Sequence, residues 1–122
     1  MQSTAFFLMR LNDHVLYLTQ IKSTLEDKSD FCGTDHHQCA LGQWIYGEGE
    51  AQAAAVSDEV LALFKKLIKP HEDFHKESFI AIKAHQAGDI ETQELALTEL
   101  HKLSNTLVSL LLDMDSKTRS NN

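Results

Sequence analysis

The chain has 122 residues, the size of one domain. Its 43% hydrophobic and 24% charged residues fit a chain that folds around a core rather than a disordered one. A net charge of −7 with no basic stripe argues against nucleic acid and against an anionic membrane surface as partners. The start, MQSTAFFLMRLNDH, has neither the positive region nor the small-residue cleavage site of a signal peptide. No apolar run approaches the roughly 18 residues that a membrane span requires, so no membrane insertion is expected. Cys32 and Cys39 are too few for a disulfide framework, and a cytoplasmic location is expected.

One proline and five glycines favour long helices. The first is expected to start at Ser3 or Thr4, natural N-caps, and to run to about Asp27. Its inward seam is Phe7, Leu11, His14, Leu18, Ile21 and Leu25. The stretch KSDFCGTDHHQ has no seam and reads as a loop. A short helix is expected over Cys39 to Tyr46, stopped by the glycines of YGEGE, while Ala51 to Val56 fits either a loose turn or a surface segment.

Ser57 and Asp58 offer caps to a second long helix reaching about Ala87. Its seam reads Leu61, Phe64, Ile68, His71, His75, Ser78 and Ile82, and Pro70 is expected to kink it or to mark a new first turn. Gly88 and Asp89 form a stop and a cap. The last helix then runs to about Asp115 through Ile90, Leu97, Leu100, Leu107, Leu111 and Met114. A second stripe of Ala96, Leu103 and Leu110 suits either a partner or the first helix. The fold expected is all-α: an antiparallel four-helix bundle variant with three long helices and one short helix carrying Cys39. A single domain over residues 1–116 and a disordered tail over 117–122 complete the expectation.

Three imidazoles, His14, His71 and His75, occupy seam positions where leucine would be ordinary. Each buried polar group needs a partner, and one metal ion would satisfy all three. His71 and His75, at i and i+4, face the same way, and Cys39 opens the short helix, where the helix N-terminus and a metal both favour thiolate. Nitrogen and sulfur donors favour zinc over magnesium or calcium, and four ligands close a tetrahedral shell without a catalytic opening. Taken singly, each residue also fits ordinary packing: a hydrogen-bonded core histidine, an exposed HxxxH pair, a small buried cysteine.

The segment Cys39-Ala40-Leu41-Gly42-Gln43-Trp44-Ile45-Tyr46-Gly47 resembles the CxLGxW signature of the bacterial chemoreceptor zinc-binding (CZB) family. That family pairs the signature with an N-terminal helical histidine and a later HxxxH, here His14 in Asn12-Asp13-His14, and His71 with His75. The resemblance implies a three-histidine, one-cysteine Zn2+ site at His14, Cys39, His71 and His75 in a helical bundle that forms homodimers. It also implies a sensory role: zinc level, or oxidation of Cys39 as a redox switch, modulates chemotaxis or cyclic-di-GMP signalling through a chemoreceptor or diguanylate cyclase in cis or in trans. No receptor hairpin or cyclase lies within these residues. Where many members carry an aromatic, often tryptophan, shortly after the first histidine, this chain has Tyr17.

On physical grounds Gly42 is expected to allow close approach to a facing helix, and Trp44 to wedge under the short helix. Leu41, Gly42 and Trp44 would then act by holding Cys39 in place. His36 and His37 are candidate extra or substitute ligands in a solvated loop, Cys32 is a candidate disulfide partner for oxidised Cys39, and His85 and His101 read as surface or boundary residues. Two rival readings remain at this stage. His71-Glu72-Asp73-Phe74-His75 matches HExxH of zinc hydrolases, although positions 78 and 81 are Ser78 and Ala81 and no strand is expected to hold a substrate. A hemerythrin-like di-iron bundle also uses HxxxH, but Ala40, Leu41, Asn105 and Thr106 stand where carboxylates would be needed.

Overall fold

Phe7, His14, Ile21, Phe64, His71, Leu100, Leu107 and Leu111 are each at most 2% exposed, so the three expected seams meet in one core. The structure is a computed structural model describing residues 5–120. It contains α1 (Ala5–Leu25), α2 (Ala40–Ile45), α3 (Gly49–Val56), α4 (Asp58–Ala87) and α5 (Ile90–Ser120). No strand occurs among the described residues. The start expected at Ser3 or Thr4 lies outside them.

Helix ends follow local chemistry. Asp27, at φ 62°, closes α1, with the Lys28 N–H on the Ser23 carbonyl and the Asp27 N–H on the Thr24 carbonyl, a Schellman arrangement. Ser57 Oγ accepts from the Val60 N–H at 3.1 Å to start α4, and Gly88, at φ 72°, ends it. Asp89 Oδ1 caps α5 by accepting from the Thr92 N–H. The α4 helix continues through Pro70.

The order of the long helices differs from the all-antiparallel expectation. Lys117 pairs with Glu59 at 3.4 Å, joining the end of α5 to the start of α4, which makes that pair antiparallel. Trp44 packs edge-on against both Phe7 and Phe64, and His85 reaches Asp27 at 2.7 Å. The starts of α1 and α4 therefore lie together, as do their ends, so α1 runs parallel to α4. The connection over residues 26–57 makes this possible: it is long enough to return along α1, roughly 30 Å at 1.5 Å per residue.

Two short helices occupy that connection, not one. The segment around Ala51 to Val56 forms α3, helped by alanines of high helix propensity. It packs closely: a Cβ at Gly49 would lie 2.6 Å from Phe64 Cε1. α5 also outruns its expected end at Asp115. Residues 117–120 are helical rather than a disordered tail, because Thr118 and Asp115 are buried and Arg119 pairs with Asp115. On α5, Ile90 is 70% exposed and outside the seam, whereas Ala96 is buried and Leu103 and Leu110 pack against the core.

Candidate metal centre

Cys39, His71 and His75 come together beside the start of α2, each offering a donor atom within 4.8 Å of the others. Their placement follows from the elements. His71 and His75 sit one turn apart on the buried face of α4, with ring centroids 4.7 Å apart. Cys39 is the N-cap of α2, its Sγ accepting from the Gly42 N–H at 3.2 Å and lying 3.2 Å from His71 Nε2. That separation is near the roughly 3.5 Å that tetrahedral zinc imposes on a sulfur and a nitrogen ligand.

The second contacts prepare these donors. His75 Nδ1 meets the Thr34 carbonyl at 2.9 Å; since a carbonyl only accepts, Nδ1 carries the proton and Nε2 keeps its lone pair. Among the described residues, His71 Nδ1 is buried without a hydrogen-bond partner, unlike Nδ1 of His75. Soft and borderline donors with one fixed tautomer fit zinc.

His14 is placed differently. It is buried and lines the same cavity, about 250 Å³, together with the other three candidate ligands. Its Nε2, however, lies 2.9 Å from Ser104 Oγ on α5, and it stands outside the close group of three donors. Nδ1 is the ring nitrogen left for any further bond. Ser104 escaped the sequence reading, although a serine between Leu100 and Leu107 interrupts the α5 seam. Thr34 was invisible because it acts through its backbone.

Burial sets the titration of the group. It holds His14 down to about 4, helped by repulsion from His75, and His71 down to about 3, helped by His75 and His14. His75 is also lowered by burial, against the opposing pull of its bond to Thr34. Burial likewise pushes the Cys39 thiol up, overcoming the N–H groups of Gly42, Leu41 and Cys39 itself. The helix N-terminus favours the thiolate, as expected, but burial outweighs it, and a divalent cation would be needed to reverse the balance.

The signature residues hold Cys39 as follows. A Cβ at Gly42 would lie 1.7 Å from the His36 carbonyl oxygen, so the close approach is to the preceding loop rather than to a facing helix. Trp44 is buried between Phe7 and Phe64, and its Nε1 donates to Gln52 at 2.7 Å, tying α2 to α3. Leu41 is buried beside it. Glu72, the second residue of the HExxH string, lies 3.6 Å from His36 of the loop. The buried donor group includes no carboxylate to bridge two irons.

The model of the chemoreceptor zinc-binding domain family matches residues 14–82, just over half of the chain, and the chain belongs to that family. The match opens at His14 and spans Cys39, His71 and His75. Zinc is accordingly the metal of the cluster. No curated protein and no solved structure matches the chain. Among the described residues, no helix is long and apolar enough to cross a membrane.

Proposed function

We propose that this chain is a non-enzymatic zinc-dependent sensory domain, one folded unit in which His14, Cys39, His71 and His75 hold one Zn2+. The observation that supports it best is the convergence of Cys39, His71 and His75 at the N-cap of α2, with the His75 tautomer fixed by Thr34. Zinc supplies the charge that keeps Cys39 as a thiolate. Cys39 then ties α2 to α4, while Gly42 and Trp44 hold the short helix against the loop and α3.

The signal is a fall in zinc or the oxidation of Cys39. A peroxide oxidises the thiolate by forming an S–O bond, breaking its own O–O bond and releasing hydroxide, which leaves a sulfenic acid with weaker metal affinity. Either event frees α2 from α4 and changes the surface offered to a partner. That partner is a chemoreceptor or diguanylate cyclase module, in cis or in trans, so the output is chemotaxis or cyclic-di-GMP signalling. The domain acts in the cytoplasm as a homodimer.

The test is metal analysis by mass spectrometry on tag-free protein, with Cys39→Ala and His71→Ala beside it. About one zinc per chain, weakened in both variants, is the expected result for a closed four-ligand site. Zinc content indifferent to Cys39 overturns the switch, as does an equal response of Cys39→Ala to oxidant. Iron at about two per chain would favour the di-iron alternative.

A further inference from the structure

Asp35, His36 and His37, in the loop ahead of Cys39, form a second donor group, with ligand atoms all within 4.8 Å of one another. Unlike the buried group, it faces solvent: the side chains of Asp35 and His37 are more than half exposed, and that of His36 is 23% exposed. The group is ordered. Asp35 Oδ2 accepts from the backbone N–H of His37 at 3.0 Å and lies 2.8 Å from its Nδ1, so a cation that displaces the proton shared by these two atoms meets both side by side. The His36 and His37 rings lie 4.2 Å apart, and His37 stacks on Tyr46 at 4.3 Å.

His36 also faces inward. Its ring centroid is 6.2 Å from that of His71 and 6.3 Å from that of His75. Two imidazoles on one tetrahedral zinc have centroids roughly 5 Å apart, so about an ångström of movement lets His36 share an ion with the buried donors. Carboxylates stand on both sides of it, Asp35 at 3.8 Å from Nδ1 and Glu72 at 3.6 Å from Nε2, distances too long to occupy either nitrogen with a hydrogen bond.

We propose that Asp35, His36 and His37 form a second, weaker site for a divalent transition-metal cation, which captures the ion from solvent and passes it through His36 to the buried cluster. The proposal rests on the buried cluster being a zinc site. Two imidazoles and a carboxylate suit zinc, cobalt or nickel and hold it less tightly than a thiolate set. Three ligands leave a tetrahedral ion one open position, which permits ligand exchange, and the negative surroundings raise the local cation concentration. Transfer is a ligand substitution: His36 keeps its bond while Asp35 and His37 leave and His71 and His75 enter.

The experiment is a titration of tag-free, metal-stripped protein with Zn2+, followed by stopped-flow mixing with Co2+, whose thiolate-to-cobalt absorption reports arrival at Cys39. The native chain should bind two ions of unequal affinity. A His36→Gln/His37→Gln variant should keep the tight ion and the far-ultraviolet helical signal, lose the weak ion, and load cobalt several-fold more slowly than the native chain at low cobalt. One ion only in the native chain overturns the proposal, as do equal loading rates. If the native chain shows no thiolate-to-cobalt absorption, the transfer route falls together with the buried site, and that missing signal distinguishes the case from loss of the loop site alone.

Discussion

His75 and Tyr17 are joined through Thr34: His75 Nδ1 donates to the Thr34 carbonyl at 2.9 Å, and the Thr34 N–H donates to the Tyr17 hydroxyl at 2.8 Å. The loop that precedes Cys39 is thus pinned on one side by α4 and on the other by α1. Tyr17 also packs 4.7 Å from the His75 ring.

Tyr17→Phe should keep the ring packing and remove the bond. Zinc affinity is expected to fall about tenfold, the lower range for loss of a contact behind a metal ligand, with helix content unchanged. Competition against a chelator of known affinity measures it. Native affinity in the variant would show that His75 alone secures Thr34.

Gly42→Ala should be far more damaging than its one methyl group suggests. The new Cβ would collide with the His36 carbonyl oxygen and crowd Cys39 Sγ. Moving that backbone is expected to cost about 1–3 kcal/mol of stability, as overpacking does, and to displace Cys39 from His71. Denaturant unfolding with and without zinc checks both effects; equal stability would mean that the loop yields freely.

Ser104→Ala removes the partner of His14 Nε2. A buried nitrogen left unpaired is expected to cost about 1–3 kcal/mol. If His14 also binds zinc, affinity falls in parallel with stability. A loss of stability with native zinc affinity would instead make His14 a core residue and reduce the ligand set to three.

Acid should weaken the metal-free fold. His14 and His71 titrate near 4 and 3 in the folded chain, below the unfolded value of 6.5, so the unfolded chain binds more protons between these limits. Stability is then fully present above about pH 6.5 and declines as the pH falls through the folded values. His85, raised by its bonds to Asp27 and Gln93, has the opposite sign, and its contribution is lost only as the pH rises above 6.5. Thermal unfolding of stripped protein from pH 7.5 to 4 tests this; a melting temperature that rises on acidification contradicts it.

The seams of α1, α4 and α5 were legible because burial writes itself as three- and four-residue spacing, and that spacing carried His71 and His75 inward with Phe64 and Ile82. Cys39 and Trp44 were found through local motif chemistry. The direction of α1 relative to α4 was not legible, since it depends on where the connection over residues 26–57 crosses the bundle. α3 was missed because it is only eight residues long and packs through small residues, Gly49 and Ala53, that leave no strong apolar pattern. Partners that act through backbone atoms, Thr34 on His75 and His36 on Gly42, leave no mark in a pattern of side chains.

The parallel course of α1 and α4 has a consequence for how the molecule comes apart. The returning connection holds both short helices, Cys39 and Thr34, and around the site it is fastened to the long helices by Thr34 on Tyr17 and His75, by Cys39 on His71 and by Trp44 between Phe7 and Phe64, with Leu41, Ile45 and Ala53 buried in the core. Its helices are six and eight residues long against 21, 30 and 31 in the body, so it is expected to open as a strap before the three-helix body does. Amide hydrogens over residues 26–57 should exchange ahead of those in α4 and α5, and zinc should slow exchange within the strap far more than in the body. Ion occupancy then becomes an opening frequency.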